Sequence, residues 1–112
     1  MGLKKEIAKY KTQSVCVKIF RKSKMPTVHG YLLDYSDNLI LIQEVDDFTV
    51  EGYIIIPKKS IKSIRFNQFD ETYDNILKAE NEFEKVQMKY EIDLTNWKTV
   101  FNSIKQLALM SV

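Results

Sequence analysis

Five short runs of residues between positions 14 and 66 have the alternating or continuous apolar pattern of β-strands. They cover residues 14–20, 28–35, 39–45, 53–57 and 61–66. Polar turns rich in Pro, Asp, Asn and Gly separate these runs. Before them, Leu3, Ile7 and Tyr10 have the spacing of one helix face over residues 3–11. The pattern therefore predicts a short helix followed by five β-strands.

Two details of these runs indicate strong bending and tight connection. Gly30 lies inside the second run, where a glycine allows a bend or the close approach of another backbone. The fourth and fifth runs are joined by PKKS, four residues that fit a single 3₁₀ turn and are too few for a crossover. Strands connected in this way predict a small five-stranded barrel. The expected barrel core is Val15, Val17, Ile19, Leu32, Leu39, Leu41, Ile54, Ile56, Ile61 and Ile64.

The remaining third of the chain predicts an α-β-α extension. Residues 70–83 have a helical apolar pattern with acidic residues in the first turn, and residues 86–92 alternate as a half-buried strand does. A second helix follows, capped by Asp93 or Thr95. Its predicted apolar stripe is Trp97, Phe101, Ile104 and Ala108. The expected fold is mainly β with added helices: a barrel with its N-terminal helix over 1–67 and the extension over 68–112, as one compact unit.

Charge is distributed unevenly along the chain. Residues 1–30 contain eight lysines and arginines and one glutamate, whereas residues 31–66 and 67–112 are both net acidic. A basic N-terminal third could attract phosphate, although a solvated helix face and a charged loop explain the same residues. The single cysteine, Cys16, cannot form an intrachain disulfide, which fits a reducing compartment. The sequence has neither a membrane-spanning apolar run nor the apolar core of a signal peptide, and we expect a cytoplasmic protein.

Residues 28–32, VHGYL, resemble the opening of the first motif of the Sm and Sm-like proteins, hydrophobic-x-Gly-x-Leu. In that family an Asp and an Asn then flank the turn between the second and third strands. Asp34 and Asn38 have the family spacing from one another, with two residues fewer after the glycine than the family has. If the spacing from the glycine is kept instead, Ser36 and Ile40 occupy those positions.

The second Sm motif, Ile-Arg-Gly-x-x-Ile-x-x-Ile, is similar to IPKKSIKSI at residues 56–64. The hydrophobic spacing is the same, but Pro57 and Lys58 replace the Arg-Gly pair, so the arginine that contacts nucleotide in the family is missing. The resemblance covers residues 3–66 and implies an Sm-like or SH3-like barrel. A second resemblance, carried by residues 51–66 and by IDLTNW at 92–97, is to uncharacterised bacterial proteins with such a barrel at the N-terminus.

Eight residues are the candidates for contact with RNA or another nucleic acid. Some follow from the Sm resemblance and the rest from positive charge near it: Arg21, Lys22, Lys24, Asp34, Asn38, Lys58, Lys59 and Arg65. Aromatic residues such as Tyr31, Tyr35 and Phe48 could stack on bases if they are exposed, but core packing is the favoured explanation for them.

No pattern in the sequence indicates catalysis. The single histidine, His29, has no cysteine or second histidine at ligand spacing, and the acidic cluster Asp46, Asp47 and Glu51 lacks the pattern of a calcium loop. We therefore expect no enzymatic activity, no metal and no cofactor. The sequence favours a non-enzymatic interaction module with an unknown protein partner, and RNA binding is the alternative. We also expect a homodimer with residues 86–112 in its interface, because that segment is more apolar than a small barrel can cover.

Overall fold

The computed structural model describes residues 2–88 and 91–110, and this part of the chain forms five β-strands and three α-helices. The helices are α1 (Gly2–Gln13), α2 (Gln68–Ala79) and α3 (Trp97–Met110). The strands are β1 (Cys16–Arg21), β2 (Val28–Tyr35), β3 (Leu39–Asp46), β4 (Thr49–Pro57) and β5 (Ile61–Arg65). Two 3₁₀ turns, Lys58–Ser60 and Glu82–Lys85, complete the regular structure. No helix in this part of the chain has the length and apolar character needed to cross a membrane.

The five strands form one antiparallel sheet in the order β4-β3-β2-β1-β5. Gly30 of β2 lies opposite Glu44 of β3, and a β-carbon at Gly30 would overlap the carbonyl oxygen of Gln43. The close approach predicted at Gly30 is therefore confirmed. The 3₁₀ turn predicted between the last two strands is also present, as Lys58–Ser60.

The sheet is not closed, so the predicted closed barrel is not observed. Its two end strands, β4 and β5, pair only with β3 and β1 respectively in the described residues. Pro57 ends β4 without a backbone N–H to offer, and the N–H of Lys58 donates instead to the carbonyl of Asn38 at 2.8 Å. The 3₁₀ turn thus takes the chain from one end strand to the other without a hydrogen-bonded ladder between them.

One face of the sheet, the inner face, is aliphatic and is covered by α1. Val17, Ile19, Leu32, Ile40, Ile42, Ile56 and Ile64 are buried there together with Ile7 and Tyr10 of α1. Their alternation with exposed or outer-face residues is the strand pattern seen in the sequence. Each such aliphatic side chain contributes on the order of 1.5–3 kcal/mol through burial. Of the predicted core, Val15 and Ile54 are only partly buried.

The opposite face, the outer face, carries the C-terminal third of the chain. Leu77 of α2 packs on Cys16 and Tyr31 of the sheet. Val100 of α3 and Leu94, just before the helix, pack on Leu39 and Leu41. These two leucines were predicted as core residues, and they are buried, but on the outer face. The sheet is therefore buried on both sides, as the run of apolar residues in β3 requires.

The strand predicted over residues 86–92 is not observed in the described part of that segment, and residues 89 and 90 lie outside it. Side chains hold the segment in place instead of a strand ladder. The amide of Gln43 accepts a hydrogen bond from the N–H of Gln87 at 3.0 Å and donates to the carbonyl of Lys85 at 3.1 Å. The Tyr53 hydroxyl donates to the carbonyl of Gln87 at 2.7 Å. The described part of this segment is therefore attached to the sheet by side-chain hydrogen bonds.

Three boundaries also differ from the sequence prediction. Strand β4 begins at Thr49, four residues early, because Asp47 and Phe48 form a tight turn with φ of 47° and 60°. Helix α2 begins earlier than predicted, since the side chain of Asn67 caps it. The side chain of Asn96, in place of Asp93 or Thr95, accepts from the N–H of Thr99 at 3.0 Å at the start of α3.

Candidate nucleic-acid interface

Three segments that are distant in sequence meet at one end of the sheet. They are the β2–β3 turn at residues 36–38, the 3₁₀ turn Lys58–Ser60 and the residues just before α3. Besides its backbone bond to Asn38, Lys58 donates from Nζ to the carbonyl of Ser36 at 3.2 Å. The Ser36 hydroxyl donates to the carbonyl of Leu94 at 2.5 Å. These bonds tie the start of α3 to both turns.

A cleft of about 330 Å³, the junction cleft, lies where these segments meet. Its lining combines polar and apolar surface and comes from all three segments: Asp37, Asn38, Leu39, Pro57, Lys58, Lys59, Asn96 and Trp97. Three of the eight predicted site residues, Asn38, Lys58 and Lys59, are therefore brought together. The cleft offers two ammonium groups, two side-chain amides and an indole ring, with Asp37 as the single acidic group of the lining.

Trp97 gives the junction cleft an exposed aromatic surface. Its side chain is 43% exposed although it begins a helix that packs on the sheet. The indole lies 6.1 Å from the ring of Phe101 at an interplanar angle of 28°, so the two rings are stacked. An exposed ring held in one orientation is suited to stacking on a planar ligand.

Sequence reasoning did not place Trp97 or Asn96 in this site. It assigned Trp97 to the apolar stripe of the last helix, because Trp97 has helical spacing with Phe101. The polar residues before the helix did indicate a helix end near solvent. The position of Trp97 and Asn96 beside the 3₁₀ turn, however, depends on the path of the segment that precedes α3.

Positive charge continues from the junction cleft along the 3₁₀ turn. The guanidinium of Arg21 donates from Nε and from a terminal nitrogen to the Ser60 hydroxyl, at 3.2 and 3.1 Å. The backbone N–H of Lys22 donates to the carbonyl of Ser60 at 2.7 Å. Arg21 and Lys22 thus lie at the Ser60 end of the turn whose other two residues, Lys58 and Lys59, line the cleft. We call Arg21, Lys22, Lys58 and Lys59 the basic strip.

The other three predicted residues lie elsewhere. Lys24 is exposed in the loop between β1 and β2. Asp34 accepts a hydrogen bond from the N–H of Tyr35 at 2.8 Å and borders a different groove, beside Ile92 and Ser103. The family spacing that paired Asp34 with Asn38 therefore does not bring the two side chains into one site. The register of β2 on β3 shifts at a β-bulge between Leu32 and Asp34.

Arg65 is committed to a structural ion pair. Its guanidinium donates to both carboxylate oxygens of Asp70, at 2.8 and 2.9 Å, in a bidentate arrangement. Burial alone would raise the pKa of the Asp70 carboxyl, but the hydrogen bonds from Arg65 and from the backbone of Asn67 outweigh it and lower the pKa. Arg65 thus ties β5 to the start of α2.

Cys16 and His29, the single cysteine and the single histidine, do not line the junction cleft. The Cys16 thiol is buried, and burial, followed by the charge of Asp74, raises its pKa. His29 packs against Tyr73 with the ring centroids 4.5 Å apart and the rings tilted by 50°, and its buried Nε2 has no hydrogen-bond partner among the described residues. Within residues 2–88 and 91–110, no group of three or more His, Cys, Asp or Glu residues has the arrangement of a metal site.

The chain was also compared with known proteins. No family model, no curated protein and no solved structure matches it.

Proposed function

We propose that the chain is a non-enzymatic module that binds single-stranded RNA in the junction cleft, on a sheet of the Sm-like type. One observation carries the proposal. Asn38 and the pair Lys58–Lys59 were selected in two motifs some twenty residues apart, and they line one cleft together with an exposed tryptophan. The N-terminal helix, the antiparallel sheet and the 3₁₀ turn between β4 and β5 support the Sm-like interpretation.

The chemistry of the cleft suits an unpaired nucleotide. The exposed face of Trp97 can stack on a base, which contributes about 1–3 kcal/mol per base in proteins that bind single strands. Lys59 is exposed and can contact a phosphate, and the basic strip extends this contact along the backbone of the strand. The amides of Asn38 and Asn96 can hydrogen-bond the edge of the stacked base.

Asp37 constrains the direction of the strand and the choice of base. A carboxylate repels phosphate, so the backbone passes on the side of Lys58 and Lys59, away from the β2–β3 turn. The same carboxylate accepts hydrogen bonds from amino groups on a base edge. We therefore expect bases with an exocyclic amino group to bind more tightly than uracil.

A salt titration with matched variants tests the proposal. Fluorescence anisotropy of a labelled single-stranded RNA should give an affinity that falls with salt. The double variant Lys58→Glu/Lys59→Glu should lose binding at low salt. Lys62→Glu is the control, because Lys62 is an exposed lysine of β5 outside the cleft. Equal loss in the control would leave only non-specific attraction to a basic protein, and absence of binding by the wild type would contradict the proposal.

A second candidate function, a protein-interaction module, is favoured by large apolar side chains on the surface. Phe69 is 82% exposed and Phe101 is 63% exposed, both on helices of the C-terminal third. Such residues in contiguous patches indicate binding surfaces. This function uses surfaces other than the 3₁₀ turn, so Lys58→Glu/Lys59→Glu would leave it intact.

A further inference from the structure

Helix α3 presents an apolar stripe to solvent. Val100 is buried against the sheet, whereas Phe101 is 63% exposed and Ile104 is 45% exposed. Lys98 and Lys105 are also exposed, and their spacing of seven residues aligns them along one flank of the stripe. The free side of α3 is therefore an apolar stripe with a lysine row, here called the α3 stripe.

A second apolar surface lies on α2 and the β3–β4 turn. Phe69 is 82% exposed, and Ile76, seven residues further on, is 39% exposed. Together with Phe48 and Tyr73 they line an apolar groove of about 520 Å³, here called the α2 groove. The ring of Phe48 stacks on Tyr73 at 4.2 Å, and the backbone N–H of Phe48 donates to the Tyr73 hydroxyl at 2.8 Å. The turn is therefore attached to α2 beside the groove.

Acidic side chains border the α2 groove on its sheet side. A neighbouring depression shares Phe48 and Tyr73 with it. That depression is lined by four carboxylates, with Lys18 as the single lysine: Glu44, Asp46, Asp47 and Glu51. The surface thus combines an apolar groove with an acidic flank, the complement of the α3 stripe.

We propose that the α3 stripe of each copy docks into the α2 groove of a second copy, in a two-fold symmetric dimer. Amphipathic helices dock in apolar grooves through residues at helical spacing, and the charges along the flanks fix their orientation. Phe101 and Ile104 would pack against Phe69 and Ile76. The lysine row would then face Asp46 and Glu51. Phe69 and Ile76 of the groove are seven residues apart, as are Lys98 and Lys105 of the lysine row, a distance of about 10 Å along a helix.

A dimer with two symmetric contacts between stripe and groove is favoured over a dimer with one such contact. Helices α2 and α3 both pack on the outer face of the sheet, so a partner that faces this side can engage both. A stable interface buries roughly 1,200–2,000 Å² in total, more than one helix in one groove provides, and two symmetric contacts double the area. Antiparallel pairing of α3 with its own copy would instead place both lysine rows along one edge, where they repel.

The mass of the full chain in solution tests the dimer. Analytical ultracentrifugation in the micromolar range should give twice the chain mass of 13.2 kDa. Phe101→Ser on one surface and Phe69→Ser on the other should each weaken dimerisation at least about tenfold, since buried aromatic residues dominate interfaces. Met25→Ser is the control, because Met25 is 48% exposed but belongs to neither surface. A monomeric wild type, or a dimer that only one of the two serine variants weakens, would overturn the proposal.

Charge reversal tests which surfaces meet. Lys98→Glu/Lys105→Glu should dissociate the dimer, and so should Asp46→Lys/Glu51→Lys. The chain with all four changes should dimerise again, because the reversed rows attract each other once more. Dimerisation of the fourfold variant is expected only if these two surfaces meet. If the fourfold variant stays monomeric while both double variants remain folded by circular dichroism, the proposed pairing of surfaces is wrong.

Discussion

The two faces of the sheet are built from different chemistry. The inner face is a continuous cluster of aliphatic residues under α1, and its buried members are apolar apart from the Tyr10 hydroxyl. The outer face buries polar groups as well, among them Gln43 and Asp74, and each makes specific hydrogen bonds. Its helices carry exposed aromatic residues such as Phe69 and Trp97. The inner face stabilises the fold, whereas the outer face attaches the C-terminal third and presents surfaces for recognition.

The difference lies in how directional the contacts are. The hydrophobic effect is non-directional, whereas a hydrogen bond requires a particular geometry of donor and acceptor. The carboxylate of Asp74 accepts from the Tyr31 hydroxyl at 2.6 Å and from the backbone N–H of Cys16 at 3.3 Å, and it pairs with Lys78 at 2.8 Å. These directional bonds orient α2 on the sheet, and residues of α2 line the α2 groove. Substitutions on the two faces should therefore have different consequences.

The largest effect is expected on the inner face. Ile56→Ala should lower the free energy of unfolding by about 2–5 kcal/mol, because Ile56 is 1% exposed and its truncation leaves a cavity. Ile55→Ala is the matched variant, since Ile55 precedes it on β4 and packs only partly buried on the outer face. It should cost about 1 kcal/mol. Urea denaturation measures both values, and equal losses would contradict the division between the faces.

A smaller effect is expected from the outer network. Asp74→Ala should cost about 1–3 kcal/mol, because it leaves the Tyr31 hydroxyl and the Cys16 N–H buried without their acceptor. Lys78→Ala removes only the partly exposed partner, and we expect a loss of at most about 1 kcal/mol. Thermal unfolding of the two variants compares them. A larger loss for Lys78→Ala would mean that the ion pair, and not the buried acceptor, holds α2.

His29 should give the outer face a measurable pH dependence. Burial lowers the pKa of the imidazole from its ordinary value of 6.5; Asp70 opposes this shift, and Lys18 and Arg65 add to it. The unfolded chain therefore binds this proton more readily, so stability is full above pH 6.5 and decreases as pH falls toward the folded pKa. The slope is at most about 1.4 kcal/mol per pH unit.

The matched variant for this prediction is His29→Phe, which keeps a ring against Tyr73 and removes the titrating group. Its unfolding free energy should vary less between pH 7 and pH 5 than that of the wild type. Denaturation curves across that range provide the measurement. If the unfolding free energies of the two proteins vary with pH in the same way, the imidazole has the same pKa in the folded and the unfolded chain, and the prediction is wrong.

The smallest effect on stability is expected at the exposed α3 stripe. Phe101→Ser should change the free energy of unfolding of the monomer by no more than about 0.5 kcal/mol, as surface substitutions do. Val100→Ala, at the neighbouring position, should cost more because Val100 is 1% exposed. Denaturation at high dilution, where chains are monomeric, separates the two. A large loss for Phe101→Ser would place this ring in the fold.

The sheet could largely be predicted from the sequence, because alternation is a local property of a strand with one apolar face. Gly30, the turn at 36–38 and the 3₁₀ turn Lys58–Ser60 likewise follow from local backbone preferences. The early start of β4 was missed because its turn places Phe48, an unusual residue for this conformation, at φ of 60°.

The C-terminal third was harder to predict because its contacts are distant in sequence. The sequence alternates at 86–92, but the described part of this segment is attached to the sheet by hydrogen bonds with the side chains of Gln43 and Tyr53, over thirty residues away. The junction cleft also depends on contacts between distant residues. Sequence motifs identified Asn38 and Lys58 as candidates for it, but they did not identify Trp97. Its place depends on the bond between Ser36 and Leu94.

The most direct test of the proposed function is the fluorescence of Trp97, the single tryptophan of the chain, during titration with single-stranded RNA at constant protein concentration. Stacking of a base on the indole predicts saturable quenching in the wild type. Quenching should persist in Lys62→Glu and disappear in Lys58→Glu/Lys59→Glu. If RNA binds while the emission of Trp97 stays unchanged, the junction cleft is not the binding site.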